Sequence, residues 1–351
     1  MVDRTSPDRR ILINGATIPA ELNADVLGVS VCQYAEGGDR FEVLVNALNS
    51  TDQQLKWIDT DHAKQGNQIT IEVGYQGNLT QILVGEIAAV RVAYANDQAA
   101  QLQIQGFDRL HRLRRGRRTR AFLQVKDSQI AEQIAANLQL EPQVTDSSVV
   151  HEYVLQNNLS DIDFLMERAR RIRYEVVVDD RTLMFRPQSN HLGATVTVEY
   201  MRDLKWFNVR QSTVRQVSDV TVRGWNPASK EAILGVARIG AETTKMQGAE
   251  SGPQIADAAF GAFSDATVEN PVASQSEADQ MADARFNALA LELTAGEGEI
   301  VGDPTVRAGN TIDLRGLGTR FSGIYYVMKA EHRLSPEIGY VTRFDVRRNA
   351  S

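Results

Sequence analysis

Cysteine is almost missing: Cys32 is the only one in 351 residues. That excludes an intramolecular disulfide framework and any zinc site built from several thiolates. Histidine is also sparse. The five copies, His62, His111, His151, His191 and His332, are scattered, and no two sit at i, i+4 on a shared helix face, so no metal centre is expected. Long hydrophobic runs are absent as well. Residues 1–10 carry charges where a secretory signal needs an apolar stretch, and no segment reaches the length that spans a bilayer. Folding in the cytosol without direct membrane insertion is the expectation. With 25 glycines, 9 prolines, 42% hydrophobic and 24% charged residues, the composition is that of a soluble globular chain, neither disordered nor collagen-like. The length predicts two or three domains. A net charge of −7 argues against coating nucleic acid over the whole surface.

Signatures of catalysis are missing too. There is no phosphate-cradling Gly-x-x-x-x-Gly-Lys-Ser/Thr loop, and Gly316-Leu317-Gly318 lacks the third glycine of a dinucleotide fingerprint, so it reads as a turn. His151-Glu152-Tyr153-Val154-Leu155 starts like a zinc-protease helix, but Leu155 stands where the second histidine must lie. His151 is read as a surface residue. Cys32 follows Val29-Ser30-Val31, where a small buried strand residue fits better than a nucleophile. Asp161 and Asp163, at i and i+2 of a helix start, point to different faces and serve capping and the helix dipole rather than acid–base work or calcium. Trp57, Trp206 and Trp225 are dispersed, which favours core or interface packing over a carbohydrate-stacking surface. No catalytic, cofactor-binding or metal-binding residue is assigned, and no small-molecule substrate or enzymatic activity is expected.

What the chain does contain is strands. Ile11-Leu12-Ile13 runs into Asn14-Gly15, Phe41-Glu42-Val43-Leu44-Val45 alternates, and Ile69-Thr70-Ile71-Glu72-Val73 leads through Tyr75-Gln76-Gly77-Asn78 to Ile82-Leu83-Val84-Gly85. Val90-Arg91-Val92-Ala93-Tyr94, an Asn96-Asp97 turn, and Leu102-Gln103-Ile104-Gln105-Gly106-Phe107 form another hairpin. Residues 109–120 then hold seven arginines. A phosphate-binding patch is one reading; without interleaved aromatics, a solvated connector or a contact for an acidic partner is the other.

From 127 to 190 the period changes. Asp127 is placed as the cap of a helix whose stripe is Ile130, Ala131, Ile134, Ala135 and Leu138, stopped by Pro142. Ser160 with Asp163 starts a second helix, its buried face Ile162, Leu165, Met166, Ala169 and Ile172. Tyr174-Glu175-Val176-Val177-Val178 and Thr182-Leu183-Met184-Phe185 flank Asp179-Asp180-Arg181 as a hairpin, completing an ααββ module. Strands return with Thr195-Val196-Thr197-Val198-Glu199-Tyr200 and residues 217–222, closing at Arg223-Gly224-Trp225-Asn226-Pro227. Residues 228–275, rich in Ala, Gly, Ser and Thr, are predicted to form an extended or partly mobile excursion. A helix starting at Ser276 with Asp279 runs to 293, and the tail from 301 to 346 is again strand.

Two stretches are self-similar. Gly66-Asn67-Gln68-Ile69-Thr70-Ile71 resembles Gly309-Asn310-Thr311-Ile312-Asp313-Leu314. Each precedes a strand entered through glycine and then a closing alternating strand. Such hairpin language is generic, so a chance match stays open beside a duplication. A duplicated β domain would let three chains present six similar units around one axis.

Val154-Leu155-Gln156-Asn157-Asn158-Leu159-Ser160-Asp161-Ile162-Asp163-Phe164-Leu165 with its hairpin, Val220-Thr221-Val222-Arg223-Gly224-Trp225-Asn226-Pro227, and Gly302-Asp303-Pro304, Ala308-Gly309-Asn310, Gly323-Ile324-Tyr325-Tyr326-Val327, His332 and Gly339-Tyr340-Val341-Thr342 together resemble the phage late control D family, the hubs of contractile tails, and the base of type VI secretion VgrG spikes. The likeness implies an α+β, mainly β chain: two tube-like antiparallel β-barrel domains with an inserted ααββ module and peripheral helices. Domains are expected at 1–120, 121–192 and 193–351, the last with an extended and helical insertion at 228–295. It also implies a homotrimeric baseplate hub that adapts a sixfold inner tube to a threefold spike. Its partners would be the inner tube protein, a separate spike polypeptide (the chain stops at Ser351) and baseplate wedge proteins, in a phage tail or phage-like injection particle. A nucleic-acid-binding module using 109–120 and a cell-envelope hydrolase are the alternatives.

Overall fold

Turn chemistry sets the hairpins. Asn14 and Gly15 take φ of 52° and 82°, the paired positive values of a two-residue hairpin turn, and join Pro7–Ile13 to Ala16–Thr17. Gln76-Gly77 joins Gln68–Tyr75 to Asn78–Ala93, and Asp180-Arg181 joins Tyr174–Asp179 to Thr182–Pro187. The computed structural model describes residues 6–49, 51, 53–95, 99–194, 196–226, 229–267 and 272–351. The expected Asn96-Asp97 turn, Thr195 and Pro227 lie outside the described residues.

The fold is α+β and mainly β, organised around a 13-stranded sheet. Asn78–Ala93 is one 16-residue strand where the sequence reads two short ones. An irregularity at Ala88 lets it bend without ending, as β-bulges do. The first β unit has the neighbour order Val26–Tyr34, Arg40–Asn46, Gln101–Phe107, Asn78–Ala93, Gln68–Tyr75, Pro7–Ile13. The second has Leu204–Gln211, Thr294–Val301, Gly339–Arg348, Gly323–Ser335, Thr311–Arg315, Val196–Glu199. The two orders correspond strand for strand; only the last pairing differs, antiparallel in the first unit and parallel in the second.

The correspondence extends to single bonds. Gly66 N donates to Ile87 O at 2.8 Å and Ile87 N to Asn67 O at 2.9 Å. In the second unit Gly309 N donates to Val327 O at 2.9 Å and Val327 N to Asn310 O at 2.8 Å. Gly66 and Gly309 have φ of 88° and 80°, a conformation that disfavours any side chain. Register irregularities recur at matching places as well, Leu27 with Lys205 and Ala88 with Met328. The alignment seen in the sequence, Gln68 with Thr311 and Ile71 with Leu314, is the one these ladders produce.

The units are fused edge to edge. Gly323–Ser335 pairs antiparallel with Val26–Tyr34, from Lys329 opposite Tyr34 to Leu334 opposite Val29. One core lies in the first unit around Val31, Val45 and Ile71, another in the second around Ile312, Tyr325 and Phe344. Leu334 and Tyr340 of the second unit belong to the first core.

Two bodies interrupt this sheet. In the module, helices Asp127–Asn137 and Asp161–Arg171 bury the expected stripes around Ile130, Ile134, Leu165 and Ala169. Strand Glu141–Val144 adds in parallel to the hairpin, and Arg118–Val125 pairs with His151–Leu159, running across the expected 120/121 boundary. The second body fills residues 212–293. Here the predicted excursion is corrected: Asp219–Asn226 pairs with Glu231–Arg238 and Ser264–Thr267, and helices Gly252–Phe260 and Gln275–Ala290 accompany them. The strand at 217–222 therefore belongs to this inserted body, not to the second β unit. The last helix starts two residues before the expected place, because Ser274 rather than Ser276 accepts the capping bond, from Glu277 N.

Candidate functional site: strand edges and the polar sheet face

Each β unit contains a stretch of strand whose backbone has no ladder partner on one side among the described residues. Leu204–Gln211 is bonded to Thr294–Val301 on one side only. In Asn78–Ala93, Gln68–Tyr75 covers the edge as far as Glu86, so the stretch beyond Ala88 has Gln101–Phe107 on one side and nothing on the other. Such edges template pairing with another chain. The sheet also has two chemically different faces. Side chains alternate between the cores and a polar face, where Arg343 Nε meets Glu299 Oε2 at 2.7 Å, Lys205 Nζ meets Glu299 Oε1 at 3.4 Å and Gln105 Nε2 donates to Glu42 Oε2 at 3.0 Å. These neighbours span both units, giving one continuous hydrophilic surface.

Four of the seven arginines in the run are held by carboxylates, while Arg114, Arg115 and Arg117 stay exposed. Residues Arg109–Arg114 form a 3-10 helix whose start is capped by Asp108 and which buries Leu110 and Leu113, and a strand follows from Arg118, while residues 114–119 between and beside them are exposed. Arg109 and Arg112 bind Glu86, and Arg109 also binds Asp180. Arg118 and Arg120 reach Asp161, the latter at 2.7 Å. Guanidiniums held by carboxylates are poorly placed to neutralise phosphates. Asp163 and Ser160 cap their helix, Ser160 Oγ accepting from Asp163 N at 3.2 Å.

His151 is buried, which corrects its reading as a surface residue. Its Nε2 lies 3.2 Å from Asp127 Oδ2, and Arg168 Nε donates to Asp127 Oδ1 at 2.5 Å. Asp127 is thus the first helical residue and an ion-pair partner; Lys126 occupies the cap position. Burial alone would raise the Asp127 pKa, but the His151 hydrogen bond and the Arg168 charge hold it below the usual range. Glu277 from the inserted body completes the cluster, 3.0 Å from Arg171 Nη2. The sequence signal was weak because the partners come from separate segments.

A cavity of about 270 Å³ opens where the first unit, the module hairpin and the second unit meet, lined by Asp39, Asp108, Asp179, Gln33, Arg186 and Arg307 among others. Asp39 N donates to Asp108 Oδ2 at 2.8 Å. Burial pushes Asp108 up to about 7, and burial with the neighbouring Asp108 charge raises Asp39 well above its ordinary value. Cys32 is buried in its strand and burial raises its thiol pKa, the opposite of what a nucleophile needs. Among the described residues no His, Cys, Asp and Glu group is arranged to hold a metal ion, and no helix is long and apolar enough to cross a membrane.

A family model described as the Alg8 N-terminal domain matches residues 4–336. The chain belongs to the Alg8 N-terminal domain family. No curated protein matches it. Among solved structures, the 43 kDa tail protein of prophage MuSo2 from Shewanella oneidensis superposes with a TM-score of 0.71 at 13% identity, covering 98% of both chains. A tail protein from Neisseria meningitidis gives 0.69 at 11% identity, over 98% of this chain and 97% of that one. An Escherichia coli component of the type VI secretion system, described as similar to the T4 bacteriophage tail proteins gp27 and gp5, gives 0.62 at 12% identity, over 97% and 77%. At these identities the likeness shows a shared fold. This member of the Alg8 N-terminal domain family has the fold of phage tail and type VI secretion proteins.

Proposed function

We propose that the chain is a structural subunit at the centre of a tail baseplate, a hub of the late control D kind, and not an enzyme. It acts as a homotrimer. Three chains, each carrying two equivalent β units, place six similar units around one axis and so match a sixfold inner tube on one side and a threefold spike on the other. The observation that carries the reading is the bond-level repeat of one strand order within a single sheet that leaves Leu204–Gln211 and the C-terminal part of Asn78–Ala93 each with one open side. An axial bore would be lined by the hydrophilic face that both units share. The module and the inserted body branch from the sheet and would meet baseplate wedge proteins. The hub joins an inner tube and a spike, and it assembles in the cytoplasm before joining a phage tail or phage-like particle. The fold shared with the Shewanella and Neisseria tail proteins supports the tail setting.

Light scattering tests the stoichiometry. A mass three times the 38.9 kDa of one chain is expected at micromolar concentration, with threefold averages in electron micrographs that have six similar lobes. A single-chain mass, unchanged when tube and spike proteins are added, overturns the reading.

A further inference from the structure

We propose that neighbouring copies join by antiparallel pairing of residues 207–212 of one copy with residues 89–94 of the next, in the register that sets Val92 opposite Val209 and Ala93 opposite Asn208. This rests on the trimeric reading above and specifies its joint. The template is the chain's own fusion of its two units, where His332 stands opposite Val31, Arg333 opposite Ser30 and Leu334 opposite Val29.

Bulges fix the translation. Ala88 corresponds to Met328, so Val92, Ala93 and Tyr94 correspond to His332, Arg333 and Leu334. Lys205 corresponds to Leu27, so Phe207, Asn208 and Val209 correspond to Val29, Ser30 and Val31. A one-residue slip would exchange the faces of every side chain in the joint, so the bulges and the two-faced pattern jointly leave one register.

Burial supports the same pairing independently. In the internal joint Leu334 is 6% exposed, His332 1% and Val31 0%. Their counterparts are uncovered: Tyr94 is 66% exposed, and Val92 and Val209 are only half-buried. Strand addition by a second copy would cover these apolar side chains and bond the open backbone together. The register also sets Arg91 opposite Arg210. Like charges facing each other across a ladder weaken it, so this joint should tighten as added salt screens them.

The test uses the full chain with Cys32→Ala as background. Ala93→Cys combined with Asn208→Cys puts two thiols on directly opposed, exposed positions of different copies, within the short Cβ reach of a disulfide. Mild oxidation is expected to give covalent dimers and closed trimers on a non-reducing gel. Ala89→Cys with Asn208→Cys, four positions out of register, should stay monomeric on that gel. Hydrogen exchange of the unsubstituted protein is a second readout: those amides of residues 89–93 that point away from Gln101–Phe107 should slow about tenfold or more on trimer formation. A trimeric mass with no cross-link, with equal cross-linking of both pairs, with unprotected 89–93 amides or with a trimer that loosens as salt rises overturns this register while leaving the trimer standing. A single-chain mass overturns both.

Discussion

Burial makes His332 a base that cannot take up its proton without cost. Only 1% exposed, with Nδ1 2.8 Å from the Tyr340 hydroxyl, it titrates near 4, drawn down first by desolvation and then by the Arg307 charge. The unfolded chain binds that proton near 6.5, so stability is complete above that value and is lost as pH falls towards 4, by about 3 kcal/mol from this group. Urea unfolding at stepped pH should show the loss. His332→Asn, which keeps an acceptor near Tyr340, should flatten it even though lost volume lowers stability at pH 7. The Asp39–Asp108 pair has the opposite sign. Both carboxyls hold protons more tightly when folded, so their support is present at acid pH and fades as pH rises through about 7. Asp39→Asn, which keeps the acceptor for Tyr34 N, should therefore be more stable than the parent at pH 8 and lose that advantage below pH 4. Arg168 illustrates a third case. Arg168→Ala leaves Asp127 charged and sealed from water, a loss of about 3–5 kcal/mol. Adding Asp127→Asn should recover part of it, and full additivity in a double-mutant cycle would refute the pairing.

Elements were legible where one residue constrains its own backbone. Asn14-Gly15 and Gln76-Gly77 marked their turns because few residues accept positive φ. The duplication could be read from Gly66-Asn67 and Gly309-Asn310 for the same reason. The helix stripes at Ile130 and Ile162 were clear because periodic burial leaves a periodic pattern. The stretch 228–275 reads as an excursion in the sequence, against the strands and helices its described residues form, because small residues have two physical meanings. Gly235 lies in the strand Glu231–Arg238, and a Cβ there would come within 2.2 Å of the Ala278 carbonyl carbon in helix Gln275–Ala290. The glycine and alanine content that resembles a mobile segment is what lets helix and hairpin meet closely. Gly235→Ala should accordingly force them apart, destabilising the inserted body by about 1–3 kcal/mol. Fluorescence of Trp225, which sits on the paired strand, should follow that loss, and an unchanged midpoint would contradict the packing. His151 escaped notice for a related reason. Its partners Asp127, Arg168 and Glu277 are brought together only by the assembled fold, and no local pattern announces such a meeting.

On the scale of the whole molecule, repetition and fusion pull in different directions. Two units with the same strand order and separate cores suit independent folding, yet the ladder from Lys329–Tyr34 to Leu334–Val29 makes the rim of one unit part of the wall of the other. The ring of Tyr75 of the first unit packs tilted against that of Tyr340 of the second, centroids 5.9 Å apart, and its hydroxyl donates to Gly302 O at 2.9 Å. Unfolding either unit would strip these contacts and bare a backbone edge in the survivor. The two should therefore unfold together, while the inserted body, with its own core around Val220, Ala282 and Phe286, has the means to open separately. The three tryptophans are distributed to read this out, Trp57 in the first unit, Trp206 in the second and Trp225 in the inserted body. In variants retaining one tryptophan each, Trp57 and Trp206 should report the same urea midpoint, and Val31→Ala at the joint should lower both by the same amount. Separate midpoints, or a Val31→Ala shift confined to Trp57, would mean that the shared ladder is too weak to couple the halves. A ring assembled by repeating that ladder between copies would then have no stable joint to copy.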